Sequence, residues 1–307
     1  MAQSVLNNAS MGRPLRLFEP DGIYFITGRC LQGRLLLRPS TSTNKIIGGV
    51  LAKAIHKLGV DVFAFAFTSN HFHMLVRSHS LSIPAFMQYL RSNIAKQVGA
   101  EVDWRGKFWD RRYDAEAVID DDALIGRLRY ILAHGVKERL VRRCCDWPGL
   151  TSHPELLGNT PRAFAWPAAK GSNSAEQTLP LTLAVLPPFE SMNENQRTEH
   201  IRVMEKAIEE ENDSTHGPGV LGCKRILRQH PHAKPQTLAR RRRPLCHSST
   251  REGYLAYREK YREFAAAYRA ASQLRSISVE PEDFPVYSYR PPWMRPCLGR
   301  SETLLAA

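Results

Sequence analysis

The chain has 307 residues, 43% of them hydrophobic and 9% aromatic, which allows a sizeable core and excludes a miniprotein or a wholly disordered chain. Its 43 Lys and Arg outnumber its 30 Asp and Glu, and the formal charge of +13 favours a partner that carries phosphates. The six cysteines, Cys30, Cys144, Cys145, Cys223, Cys246 and Cys297, show no C-x-x-C spacing and read as reduced thiols. Residues 1–20 hold no apolar run of signal-peptide length, and no segment approaches a membrane span. A soluble, cytoplasmic protein with no membrane partner is expected.

Residues 22–30, GIYFITGRC, alternate in polarity and predict a strand, while 43–59, TNKIIGGVLAKAIHKLG, carry apolar residues at helical spacing. Two further β runs, VDVFAFAFT at 60–68 and HFHMLVRS at 71–78, are separated by Ser69 and Asn70, which predicts a tight hairpin. Ser82 as an N-cap and Pro84 in the first turn open a helix over 82–99. Residues 107–119 read as a strand, and 120–136, opening on three aspartates, as a helix. The order β-α-β-β-α-β-α is that of a ferredoxin-like α+β fold, an antiparallel sheet with helices on one face.

Beyond Trp147 the sequence changes character. Residues 147–174 are rich in helix breakers, a second break lies at 186–195, and a basic loop around Arg240 to Arg243 occupies 230–249. Helical spacing returns at 197–212 and 251–276, with a shorter basic segment at 219–231. The expected organisation is a folded domain at 20–152, a Pro/Gly-rich linker at 153–193, and a mainly helical, basic C-terminal region at 194–307. The Tyr and Phe stripe of the last helix reads as packing, and the proline-rich tail at 281–296 as extended chain.

The sharpest chemical signal is NHFHMLV. A strand sends alternate side chains to one face, so His71 and His73 point together, and Phe72 and Met74 point into the helix-covered core. Two converging imidazoles make half of a divalent metal site. In RLRYILAHGVKERLV, Tyr130 and His134 are four residues apart and stack on one helical face. A helix lying beside the histidine strand would let His134 complete the metal site while Tyr130 presents its phenol to a phosphate. Asp114 or Glu116 is an alternative third ligand, and Tyr89 and Tyr113 are rival nucleophiles.

NHFHMLV, the helix containing FMQYL, the strand GKFWDRRYD and YILAHGVKERLV stand in the order seen in the single-tyrosine HUH transposases. The chain most resembles the branch that includes the REP-associated tyrosine transposases, over residues 20–152, with WPGLTS at the domain's close. The resemblance implies a ferredoxin-like domain that nicks and rejoins single-stranded DNA at hairpin-associated sites through a 5′-phosphotyrosine, with magnesium or manganese as cofactor. It implies Tyr130 as nucleophile and His71 and His73 as ligands. The third ligand of the family is commonly Asn or Gln; His134 stands there, and a three-imidazole site favours manganese or another transition metal. Monomer and homodimer are both open, and a domesticated, non-mobile DNA-binding or REP-processing protein of the same fold is the alternative reading.

The expected DNA contacts are Arg105, Lys107, Arg111 and Arg112, interleaved with Trp104, Phe108, Trp109 and Tyr113, which serve either as a stacking surface or as core. Arg127 and Arg129 flank Tyr130, and Arg240, Arg241, Arg242 and Arg243 form a block able to follow a phosphate backbone.

Overall fold

The computed structural model describes residues 15–166, 177–217, 219–235, 243–273, 284–286 and 288. It divides into two compact units, residues 20–254 and a smaller one of 1–19 with 255–306. The larger unit opens with β1 (Ile23–Arg29), α1 (Thr41–Leu58), β2 (Asp61–Phe67), β3 (His71–Arg77), α2 (Ile83–Glu101) and β4 (Asp114–Val118). There follow α3 (Asp121–Leu132), the single turn α4 (His134–Lys137), α5 (His153–Leu156) and the hairpin β5 (Ala163–Trp166) with β6 (Gln177–Pro180). The unit continues through α6 (Glu194–His216), α7 (Cys223–Arg228) and β7 (Cys246–His247), and α8 (Arg251–Gln273) leads out of it.

The sheet order is β2-β3-β1-β4-β7, antiparallel except for the last pair, and its first four strands have the ferredoxin-like arrangement. Alternation divides its faces. Phe67 pairs with Phe72 and Phe65 with Met74, while Ala66 pairs with His73 and Ala64 with Leu75 on the opposite side. Trp109 packs edge-on against Phe72 and donates its indole N–H to the Arg91 carbonyl of α2, which places α2 on the Phe72 face. α1 packs beside α2. The other face is covered by α3 and α6, where Phe25, Ala64 and Leu75 of the sheet share a core with Leu124, Leu128, Ile201 and Ile208.

Several elements differ from the sequence reading. Ser82 does precede α2, but its hydroxyl donates to the Leu58 carbonyl at the end of α1 instead of capping its own helix. The strand expected at 107–119 is confined to Asp114–Val118, because Phe108 and Trp109 turn into the core and only Trp109 bridges to Cys30. The helix expected at 120–136 divides between α3 and α4. Residues 153–193, which look like a linker in the sequence, carry α5 and the β5–β6 hairpin. That hairpin packs on α1, where a Cβ on Gly48 would come within 2.3 Å of the Phe164 ring and one on Gly49 within 2.7 Å of the Ala165 carbonyl oxygen.

In the smaller unit the Tyr261 hydroxyl donates to the Leu15 carbonyl, Lys260 pairs with Glu19, and Tyr257 and Phe264 are buried, so this stripe of α8 is packing. Cys30, Cys144, Cys145, Cys223 and Cys246 are free thiols, and Cys297 lies outside the described residues. Among the described residues no helix is long and apolar enough to cross a membrane.

Asp120 fixes the start of α3 and ties it to the C-terminal region. Its carboxylate accepts from the Ala123 amide as an N-cap, and from the Ser248 hydroxyl and the Ser249 amide just after β7. Burial pushes this carboxyl up, but the hydrogen bonds outweigh it and hold the pKa down at about 2, below its ordinary 3.8. Asp120→Ala is expected to cost about 1 kcal/mol in urea unfolding at neutral pH. Because the folded-state pKa is depressed, the difference from wild type should be fully present above pH 3.8 and shrink as the pH falls toward about 2. A pH-independent difference would assign the loss to packing rather than to the ionised cap.

Candidate metal and tyrosine site

β3 delivers His71 and His73 to the face away from α1 and α2, and each ring is held by one nitrogen. His71 Nδ1 lies 2.9 Å from Thr68 Oγ1 and 2.6 Å from Asn70 Oδ1, while His73 Nδ1 lies 2.9 Å from Thr27 Oγ1 on β1. Partners at Nδ1 leave Nε2 as the outward-facing nitrogen, and His73 Nε2 is buried without a hydrogen-bond partner among the described residues. His134, at the start of α4, brings its ring within 4.6 Å of His71 and 4.9 Å of His73, centroid to centroid. Both of its ring nitrogens are buried and unpartnered among the described residues.

One nitrogen from each of the three rings lies within 4.8 Å of the others. An ion with bonds of about 2.1 Å spans such a cluster after a small movement of the rings. Burial lowers the pKa of all three imidazoles, and their mutual repulsion with Arg29, Arg127, Arg243 and Lys137 nearby lowers them further. His134 is brought to about 4. The rings are therefore neutral near pH 7, the form in which an imidazole binds a metal. Orphaned buried nitrogens on His73 and His134, with the half-buried His71 ring beside them, fit a divalent metal ion. The two carboxylates considered as alternatives are committed elsewhere: Asp114 pairs with Arg111 and Arg243, and Glu116 with His247 at 2.7 Å.

Tyr130 stands next to this cluster. Its ring lies 5.2 Å from His73 and 5.8 Å from His134, with Phe25 edge-on at 5.7 Å. Arg127 and Lys137 lie over the ring at 5.1 and 4.9 Å. Burial, with Glu138 adding to it, raises the phenol pKa against the opposing pull of Arg127, so the hydroxyl is protonated at rest. The rival tyrosines sit elsewhere. Tyr89 lies on α2 under Lys57, and the buried Tyr113 packs beneath Arg91 of the same helix.

Arg105, Lys107, Arg111 and Arg112 are exposed, whereas Phe108, Trp109 and Tyr113 are core, so most aromatics of this stretch face away from any substrate. Trp104 is half-buried under the Arg34 guanidinium. Arg127 adjoins the site, Arg129 is ion-paired with Glu211 of α6, and Arg243 lies 2.6 Å from Asp114. Arg240, Arg241 and Arg242 fall outside the described residues. Sequence reasoning overlooked Arg29, which pairs across the sheet with His71, and Lys137. Both were accessible in principle, since Arg29 shares a strand face with Thr27 and Lys137 lies seven residues after Tyr130, two turns of helix.

Residues 39–134 match the family model described as transposase IS200-like. The matched segment reaches from just before α1 to His134 and so includes both strand histidines, Tyr130 and the third imidazole. No curated protein matches the sequence. Solved structures similar to the chain include a REP-associated tyrosine transposase bound to a REP hairpin, 17% identical with a TM-score of 0.42, covering 54% of this chain and 98% of that one. A protein from Deinococcus radiodurans R1 assigned as a transposase is 15% identical with a TM-score of 0.29, covering 39% and 95%.

Calorimetric titration with manganese is expected to detect one site that His73→Ala removes. Thr27→Val, which keeps the side-chain shape but deletes the partner of His73 Nδ1, should weaken binding about 10–100-fold. Wild-type affinity in Thr27→Val would show that its hydroxyl does not orient the ligand.

Proposed function

We propose, for a chain whose residues 39–134 match the IS200-like transposase family model, that it nicks and rejoins single-stranded DNA with Tyr130 as nucleophile. The observation that carries this reading is the contact between Tyr130 and a triad of neutral imidazoles, two of them buried and one half-buried, all supplied by one chain. His71, His73 and His134 would hold a divalent ion, magnesium or manganese, which when bound withdraws charge from the phosphate oxygens. Arg127 and Lys137 flank the phenol and are placed to hold the negative charge of the scissile phosphate.

Tyr130 Oη attacks the phosphorus as the phenol proton is lost to solvent. The bond from phosphorus to the 3′ oxygen breaks and that oxygen takes up a proton from solvent, which leaves a 5′-phosphotyrosine and a free 3′-hydroxyl. The phosphotyrosine conserves the energy of the phosphodiester, so attack by a 3′-hydroxyl rejoins a strand and returns the proton to Tyr130. The motif resemblance extends the substrate to sites beside DNA hairpins, and the exposed Arg105, Lys107, Arg111 and Arg112 offer phosphate contacts along the strand.

Incubation with hairpin-bearing single-stranded DNA and manganese should give a covalent protein–DNA adduct visible on denaturing gels. Tyr130→Phe should abolish it with metal binding intact, and His71→Ala should lose both. Cleavage without an adduct would make water the nucleophile, and an adduct in Tyr130→Phe would place the chemistry on another tyrosine.

A further inference from the structure

A second feature adjoins Tyr130 and has none of the three histidines in its lining. Between α3 with α4 and α6 lies an open pocket of about 340 Å³, lined by Gly126, Arg127, Tyr130, Lys137, Asn212 and His216 among others. Its size lies within the range of about 300–1,000 Å³ usual for small-ligand sites. The walls are fixed in place. Arg129 of α3 pairs with Glu211, and beyond α4 Arg142 pairs with Asp213 at 3.0 Å and the Cys144 amide donates to Glu209 at 2.8 Å, so about one turn of α6 is tied to α3 and to the segment that follows α4.

Two residues of the lining lack a structural reason. Gly126 is inside α3, where glycine is destabilising, yet a Cβ there would meet nothing within 4 Å among the described residues. No packing demands the missing side chain, and its absence keeps the pocket open one turn before Tyr130. Asn212 is more than nine-tenths buried in the opposite wall, and its Nδ2 has no hydrogen-bond partner among the described residues. A buried amide with an unmet donor is costly unless a partner arrives. Ala133 and Ile208 supply apolar surface, while Arg127 and Lys137 stand where the pocket meets the phenol.

We propose that this pocket is the subsite for one nucleobase of single-stranded DNA, that of the nucleotide flanking the scissile phosphate, with Asn212 reading the edge of the base. The inference rests on the nicking reading above. The cations at the mouth hold the phosphate against Tyr130 while the base enters between α3 and α6, and the amide offers the donor and acceptor that a base edge requires. Seating the flanking base also fixes the phosphate for in-line attack.

The test uses a single-stranded oligonucleotide pool, randomised across the nick, with manganese and the full-length protein. Sequencing the DNA joined to Tyr130 should show a base bias at one position next to the junction. Asn212→Ala should reduce that bias about tenfold and leave other positions unchanged. Gly126→Leu should lower adduct yield at least tenfold by filling the pocket, while its higher helix propensity keeps the protein folded and metal binding as in wild type. Unchanged bias in Asn212→Ala together with normal yield in Gly126→Leu would overturn the subsite and leave the nicking reading intact. Absence of any adduct from wild type would overturn both.

Discussion

The pleat of β3 is the constraint on which the rest of the molecule depends. Phe72 and Met74 enter the core beneath α1 and α2, and His71 and His73 emerge on the opposite face. A slip of one residue would bury two imidazoles among phenylalanines and expose Phe72 where the triad now lies. The neighbouring strands prevent that slip on both sides. On β2, Ala64 and Ala66 leave room for the imidazoles where Phe65 and Phe67 fill the other face; on β1, Thr27 stands opposite His73 and supplies its hydroxyl.

Packing three uncharged imidazoles together, two of them buried, gives up stability that an apolar cluster of the same shape would retain, because the orphaned nitrogens of His73 and His134 forfeit their hydrogen bonds to water. Only part of that loss is recovered by Thr27, Thr68 and Asn70, each of which engages an Nδ1. The remaining unmet nitrogens converge on one point. Burial first, and the surrounding arginines and Lys137 after it, keep the rings neutral, and the same cations suit a phosphate at Tyr130.

The grouping of His71, His73, His134 and Tyr130 was legible in the sequence because its parts are local. His71 and His73 follow from strand periodicity and Tyr130 with His134 from helical spacing, although joining the two motifs required the fold. Length was less legible than identity. Residues 107–119 alternate well enough for a strand, but Phe108 and Trp109 find burial by leaving the sheet, which no local pattern encodes. The C-terminal contributions were hidden for a different reason. β7 is two residues inside a basic loop, and the partner of Arg129 lies 82 residues farther on, at Glu211. Such contacts are set by tertiary packing, to which spacing rules are blind.

Those distant contacts bear on where the fold around Tyr130 ends. β4 would be a bare sheet edge without Cys246–His247, and the outer side of β2 is covered by Leu150, Ser152 and Ala184. Asp120 joins the first turn of the tyrosine helix to Ser248 and Ser249, while α6 covers its apolar side through Ile201 and Ile208. The family match stops at His134, but the helix that carries Tyr130 is capped, covered and walled by residues beyond it. The position of Tyr130 and the shape of the space beside it are therefore properties of the whole unit 20–254, in which residues beyond His134 hold the helix that carries the phenol.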